Sequence, residues 1–104
     1  MDFRNKNILI TGGCSGIGKI MARKSLERGV KKLVIWDINE EALVKTKQEF
    51  SGIGGEIFTY KVDVFNLNEI KIAAQRMRTE VGKIDIVINN AGIVVGKYFH
   101  EHTH

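Results

Sequence analysis

Four short runs rich in β-branched and aromatic residues, NILIT (7–11), KLVIW (32–36), EIFTYKV (56–62) and IDIVI (84–88), recur along the chain. Each has the length and side-chain type of a buried strand. Between them lie segments whose apolar residues return every three or four positions, the period of an amphipathic helix. Strands separated by helices of a dozen residues cannot form hairpins. They build a parallel sheet with right-handed crossovers, covered by helices on both faces. The expected order is β-α-β-α-β-α-β, and the fold class is α/β.

The helical segments carry their own punctuation. Residues 16–28 place Ile17, Ile20, Met21, Ser25 and Leu26 on one face and Lys19, Arg23 and Glu27 toward water, with Gly29 as the stop. Asn39 is positioned to cap a helix over 40–51, and Gly52, Gly54 and Gly55 follow in the next loop. Asn66 or Asn68 caps a third helix over 67–81, where Ile70, Ala73, Ala74, Met77 and Val81 form the apolar stripe and Gly82 ends it. Trp36 is expected to fill the interface between sheet and helices.

Composition removes several classes of function. At 104 residues the chain is one domain or part of one. No apolar stretch nears the roughly 18 residues of a membrane span, and MDFRNKNILI has no signal-peptide core. A single cysteine, Cys14, cannot form an internal disulfide, which fits an intracellular, cytoplasmic location. The net charge is +4. Its densest part, Lys19, Arg23, Lys24, Arg28, Lys31 and Lys32, alternates with apolar positions as a solvated helix face does. That pattern lacks the interleaved aromatics of a nucleic-acid surface, but its charge would attract a phosphate-bearing small molecule.

Such a molecule has a place to bind. In ILITGGCSGIGK (8–19) the first strand runs into Gly12, Gly13, Gly16 and Gly18 just before a helix begins. Ordering glycine is entropically costly, so the cluster serves either a tight turn or the close approach of a ligand to the backbone. Strand, glycine turn and helix N-terminus in that order make an anion site from free N–H groups and the helix dipole. No Lys-Ser/Thr pair stands in register for a P-loop. Asp37 lies nineteen residues beyond Gly18, at the end of the second strand. There a carboxylate can accept hydrogen bonds from the ribose hydroxyls of an adenine dinucleotide, or merely introduce the next helix. Loop and acid together favour the dinucleotide.

TGGCSGIG (11–18), DV (63–64) and NNAG (89–92), each at the end of a strand, resemble the signatures of the short-chain dehydrogenase/reductase family. LVIWDIN (33–39) is further similar to the branch that oxidises retinoids and steroids. The resemblance implies a Rossmann-type sheet of strand order 3-2-1-4. It implies that Gly12, Ser15, Gly16, Ile17 and Gly18 meet the diphosphate and the nicotinamide end, and that Asp37 and Ile38 bind the adenosine ribose. Asp63 would meet the adenine amino group and Val64 its ring. Asn90, Ala91 and Gly92 would line the nicotinamide ribose, and Asn89 would hold the central strand. NAD is expected over NADP: Asp37 repels a 2′-phosphate, and Ser15 and Ile38 stand where phosphate-preferring members carry a base.

The family's catalytic Y-x-x-x-K pair has no counterpart here, since Tyr60 is followed four positions on by Val64 and Tyr98 by His102. The expectation is the cofactor-binding half of an oxidoreductase that moves a hydride between nicotinamide and an alcohol or ketone, with retinoids and steroids as candidates. Family members run to about 250 residues, so the chain is expected to stop after the fourth strand without the catalytic Ser, Tyr and Lys, and to be inactive alone. Its fourth strand is then a free apolar edge, predicting a homo-oligomer or aggregate. The alternative is a non-catalytic dinucleotide-binding module or assembly subunit. Cys14 is read as a small loop residue rather than a reactive thiol, and His100, His102 and His104 as an exposed terminal segment rather than metal ligands.

Overall fold

The structure, a computed structural model, describes residues 2–91. Its elements are β1 (Asn7–Thr11), α1 (Gly16–Glu27), β2 (Lys32–Asp37), α2 (Glu40–Phe50), β3 (Glu56–Lys61), α3 (Leu67–Glu80) and β4 (Ile86–Asn89). The strands form one parallel sheet in the order β3-β2-β1-β4, so the Rossmann-type α/β expectation holds. From β1 the chain winds outward through β2 to β3, then returns across the sheet to β4. Reversing direction without reversing handedness puts the last crossover helix on the opposite face.

The core is accordingly two-sided. Ile8, Ile10, Leu33 and Ile35 meet Ala22 and Leu26 of α1 and Leu43 and Phe50 of α2 on one face. Leu9, Val34, Trp36 and Tyr60 meet Ile70, Ala73, Ala74 and Met77 of α3 on the other. Alternate residues of β1 and β2 therefore enter different cores, which is why both strands are apolar throughout. Each large side chain so buried contributes roughly 1.5–3 kcal/mol. Trp36 lies in the α3-side core, fully buried, as its sequence position suggested.

Helix ends follow the expected signals. Asn39 accepts from the Ala42 N–H and Asn66, rather than Asn68, from the Glu69 N–H. At the end of α1, Gly29 adopts φ +85° while its N–H reaches Leu26 O and the Val30 N–H reaches Ser25 O. These paired bonds form a Schellman closure that a glycine accommodates without strain.

Two expectations are corrected. The buried face of α1 is Gly18, Ala22, Ser25 and Leu26, with Met21 partly buried, whereas Ile17 is 71% and Ile20 56% exposed. Packing at Gly18 sets the rotation, because a Cβ there would lie 2.1 Å from Gly12 O. The fourth strand also begins at Ile86 rather than residue 84. Asp85 instead clasps the start of β1: its N–H donates to Asn7 O and its carboxylate accepts from the Asn7 N–H, both at 2.8 Å. Among the described residues no helix is long and apolar enough to cross a membrane.

Candidate functional site

Because the strands are parallel, their carboxyl ends and the loops that follow share one edge of the sheet. Three hydrogen bonds stitch the end of β1 and the glycine loop after it to the end of β4 and the segment beyond. Thr11 Oγ1 donates to Asn89 Oδ1 at 2.8 Å, the Ala91 N–H donates to Thr11 Oγ1 at 3.2 Å, and Asn90 Nδ2 donates to Gly12 O at 3.1 Å. Asn89 thus fastens the central strand, as its position implied. The β1–β4 seam is where the chain's winding reverses, the place where open α/β sheets leave a crevice for ligands.

The glycines have separate causes. At Gly18 and Gly13 a side chain has no room: a Cβ would lie 2.6 Å from Asn90 Nδ2 at the first and 2.8 Å from Ile35 Cγ2 at the second. Gly16 is different. It sits at φ +54°, and a Cβ there would meet nothing within 4 Å, so the backbone faces open space. Ser15 occupies the N-cap of α1 but its side chain makes no capping bond, and the first turn carries no acidic residue. The other two helices are capped by asparagine and carry glutamates in their first turns. The start of α1 therefore keeps positive potential that the chain neutralises elsewhere.

A cleft of about 190 Å³ opens beside this loop. Gly12, Asp37, Ile38, Asp63, Val64 and Ala91 line it together, with Trp36, Val62 and Phe65 completing the wall. This is smaller than the roughly 300–1,000 Å³ of pockets that engulf a drug-sized ligand, and suits one end of an extended molecule. Asp37 accepts from the Cys14 N–H through Oδ2 at 3.3 Å and from the Asn39 N–H through Oδ1 at 3.1 Å. The carboxylate thereby ties the glycine loop to the end of β2. Asp63 Oδ1 accepts from the Phe65 N–H at 2.9 Å, and the Asp63 N–H donates to Glu69 Oε1 at 3.0 Å.

Ser15, Gly16 and Ile17 are exposed at the mouth of the α1 N-terminus, and Asn90 is exposed at the seam. Gly92, Tyr98, His100, His102 and His104 lie outside the described residues. Sequence reading missed Glu69 and Phe65. Glu69 was detectable, since Asn66-x-x-Glu69 has the form of a capping box, here reaching back to Asp63. Phe65 carried no local signal. Burial pushes the Cys14 thiol above its ordinary range, with the Asp37 carboxylate adding to the effect. That direction gives no sign of an activated thiol. Among the described residues, no group of three or more His, Cys, Asp or Glu could hold a metal ion.

The family model for short chain dehydrogenases matches residues 6–104. Short-chain dehydrogenase/reductase 3 of Homo sapiens is 42% identical over 96 residues, covering 92% of this chain and 32% of that protein. Estradiol 17-beta-dehydrogenase 11 of Homo sapiens is 38% identical over 87 residues, covering 84% and 29% respectively. The crystal structure of NAD+-bound xylitol dehydrogenase superposes with a TM-score of 0.82 at 31% identity, covering 89% of this chain and 35% of that one. The chain thus spans about a third of the length of the curated relatives it matches.

Proposed function

Because the chain belongs to the short-chain dehydrogenase family, we propose that it holds NAD(H) across the carboxyl edge of its sheet. There it serves an oxidoreductase acting on an alcohol/carbonyl pair. The observation that carries this reading is the cleft in which Gly12, Asp37, Ile38, Asp63, Val64 and Ala91 converge from the ends of all four strands. The residues fit the cofactor: open space stands before Gly16, the first turn of α1 lacks acid, and a carboxylate closes the end of β2. When bound, the nicotinamide supplies or accepts the hydride.

The chain's own residues bind and orient. Gly12, Ser15, Gly16, Ile17 and Gly18 present the loop and the helix N-terminus to the diphosphate. Asp37, with Ile38 beside it, accepts from the adenosine ribose hydroxyls. Asp63 meets the adenine amino group while Val64 packs on the ring. Asn90 and Ala91 are assigned to the nicotinamide ribose, and Gly92 joins them by the family resemblance alone. None of this chain's residues is assigned proton transfer. Tyr60 is unsuited to it, being buried and donating its hydroxyl to Glu80. Steroid or retinoid alcohols are the substrates we favour, in keeping with the estradiol dehydrogenase relative.

Asp37 also sets the choice of dinucleotide, because a 2′-phosphate would face its carboxylate. NADH is expected to bind at least about tenfold more tightly than NADPH, a difference of about 1.4 kcal/mol. Asp37→Ala narrows that gap. Calorimetric titration of both dinucleotides checks it, and equal dissociation constants for the unmodified chain overturn it.

A further inference from the structure

We infer that Phe65 is the aromatic wall of the adenine subsite, closing over the purine face opposite Ile38; this rests on the dinucleotide reading above. Phe65 is 80% exposed and Ile38 60% exposed, yet both line the one cleft beside the glycine loop. They come from different loops, Ile38 from the end of β2 and Phe65 from the segment after β3. Two large apolar side chains left in water on one cleft, lined also by Val62 and Val64, are a surface a flat ring would cover.

The placement of Phe65 is built in rather than incidental. Its N–H is held by Asp63 Oδ1 at 2.9 Å, so the carboxylate assigned to the adenine amino group also fixes the backbone that carries the phenyl ring. Asp63 is held in turn by Glu69 Oε1, which accepts its N–H at 3.0 Å, and Glu69 is anchored through its own N–H to the Asn66 cap. A chain of three hydrogen bonds thus runs from the first turn of α3 to the position of the ring. The polar edge of a purine and its face would be read by two residues, Asp63 and Phe65, whose spacing is fixed by a single turn. Stacking on an aromatic side chain tolerates no loss of the ring but little depends on its para substituent.

The test is calorimetric titration of NADH, AMP and nicotinamide mononucleotide into wild type, Phe65→Ala and Phe65→Tyr. Melting curves of all three should coincide, because the side chain is mostly in water. Phe65→Ala should weaken NADH and AMP by about tenfold each, toward the lower end of what one base–aromatic contact contributes. Phe65→Tyr should stay within about twofold of wild type, and nicotinamide mononucleotide should not distinguish the three. Wild-type binding with Phe65→Ala unchanged, or an equal loss in Phe65→Tyr, overturns the assignment while leaving the cofactor reading in place. A wild-type chain that gives no heat with NADH overturns both.

Discussion

At the scale of single residues, glycines that look alike in TGGCSGIG do unlike work. Gly18 is required by backbone contact, since its missing Cβ makes room for Gly12 O and the Asn90 amide. No rotamer change relieves a clash with a carbonyl. Gly16 is required only by its left-handed backbone, with open space around it. Gly18→Ala should therefore cost about 1–3 kcal/mol, as overpacking does, and loosen the bond from Asn90 to Gly12. Gly16→Asn, a residue that tolerates the left-handed region, should leave stability within about 1 kcal/mol of wild type. Urea midpoints for the two variants check this, and equal losses would contradict it. Asp37 was legible from its spacing to the loop because that distance is fixed by one helix and one strand. Phe65 was not, since nothing local tells an aromatic that waits at a cleft from one that belongs to a core.

Among the elements, sequence periodicity found each strand and helix of the described residues but misjudged the rotation of α1. Ile17 and Ile20 satisfy the apolar pattern, yet the helix is turned by its closest contact, at Gly18, and hydropathy does not register the absence of a side chain. The tie between α3 and β3 was equally hidden. Tyr60 donates to Glu80 Oε1 at 2.5 Å beneath the Arg76 guanidinium, which lies 5.1 Å from the ring centre. Burial first, then the Glu80 carboxylate, pushes the phenol well above its ordinary value of 10.0. The same hydrogen bond, first among several causes, holds Glu80 below the usual carboxylate range. For the phenol the folded state favours the protonated form. Its contribution is therefore complete below pH 10 and lost as pH rises through the folded value. Glu80 contributes in the opposite sense, above pH 4.5 and less as acid is added. Tyr60→Phe removes the first dependence and weakens the second, which Arg76 also supports. The melting temperature of wild type should fall more steeply than that of Tyr60→Phe between pH 9 and 11, and a constant difference across that range would refute the pairing.

For the molecule as a whole, the two margins of the sheet differ in how they meet solvent. β3 begins with Glu56 and ends with Lys61, and charges at a margin discourage pairing with another chain. β4 reads IVIN, without a charge, and among the described residues it pairs only with β1. Ile86, Val87 and Ile88 are each only partly buried. An uncharged strand with a free row of N–H and C=O groups is a template for a second strand. The strand itself was plain in the sequence; the contrast between margins needed the order of strands, because only that order makes β3 and β4 the outermost pair. Self-association through β4 is the expected consequence for the 104-residue chain. Sedimentation velocity over a hundredfold range of concentration should show the average mass rising from monomer toward dimer or beyond. The NADH titration should be unaffected by that rise, since the cleft opens at the carboxyl ends of the strands rather than along the outer side of β4. A monomer at every concentration would mean that the margin of β4 is covered within the chain itself.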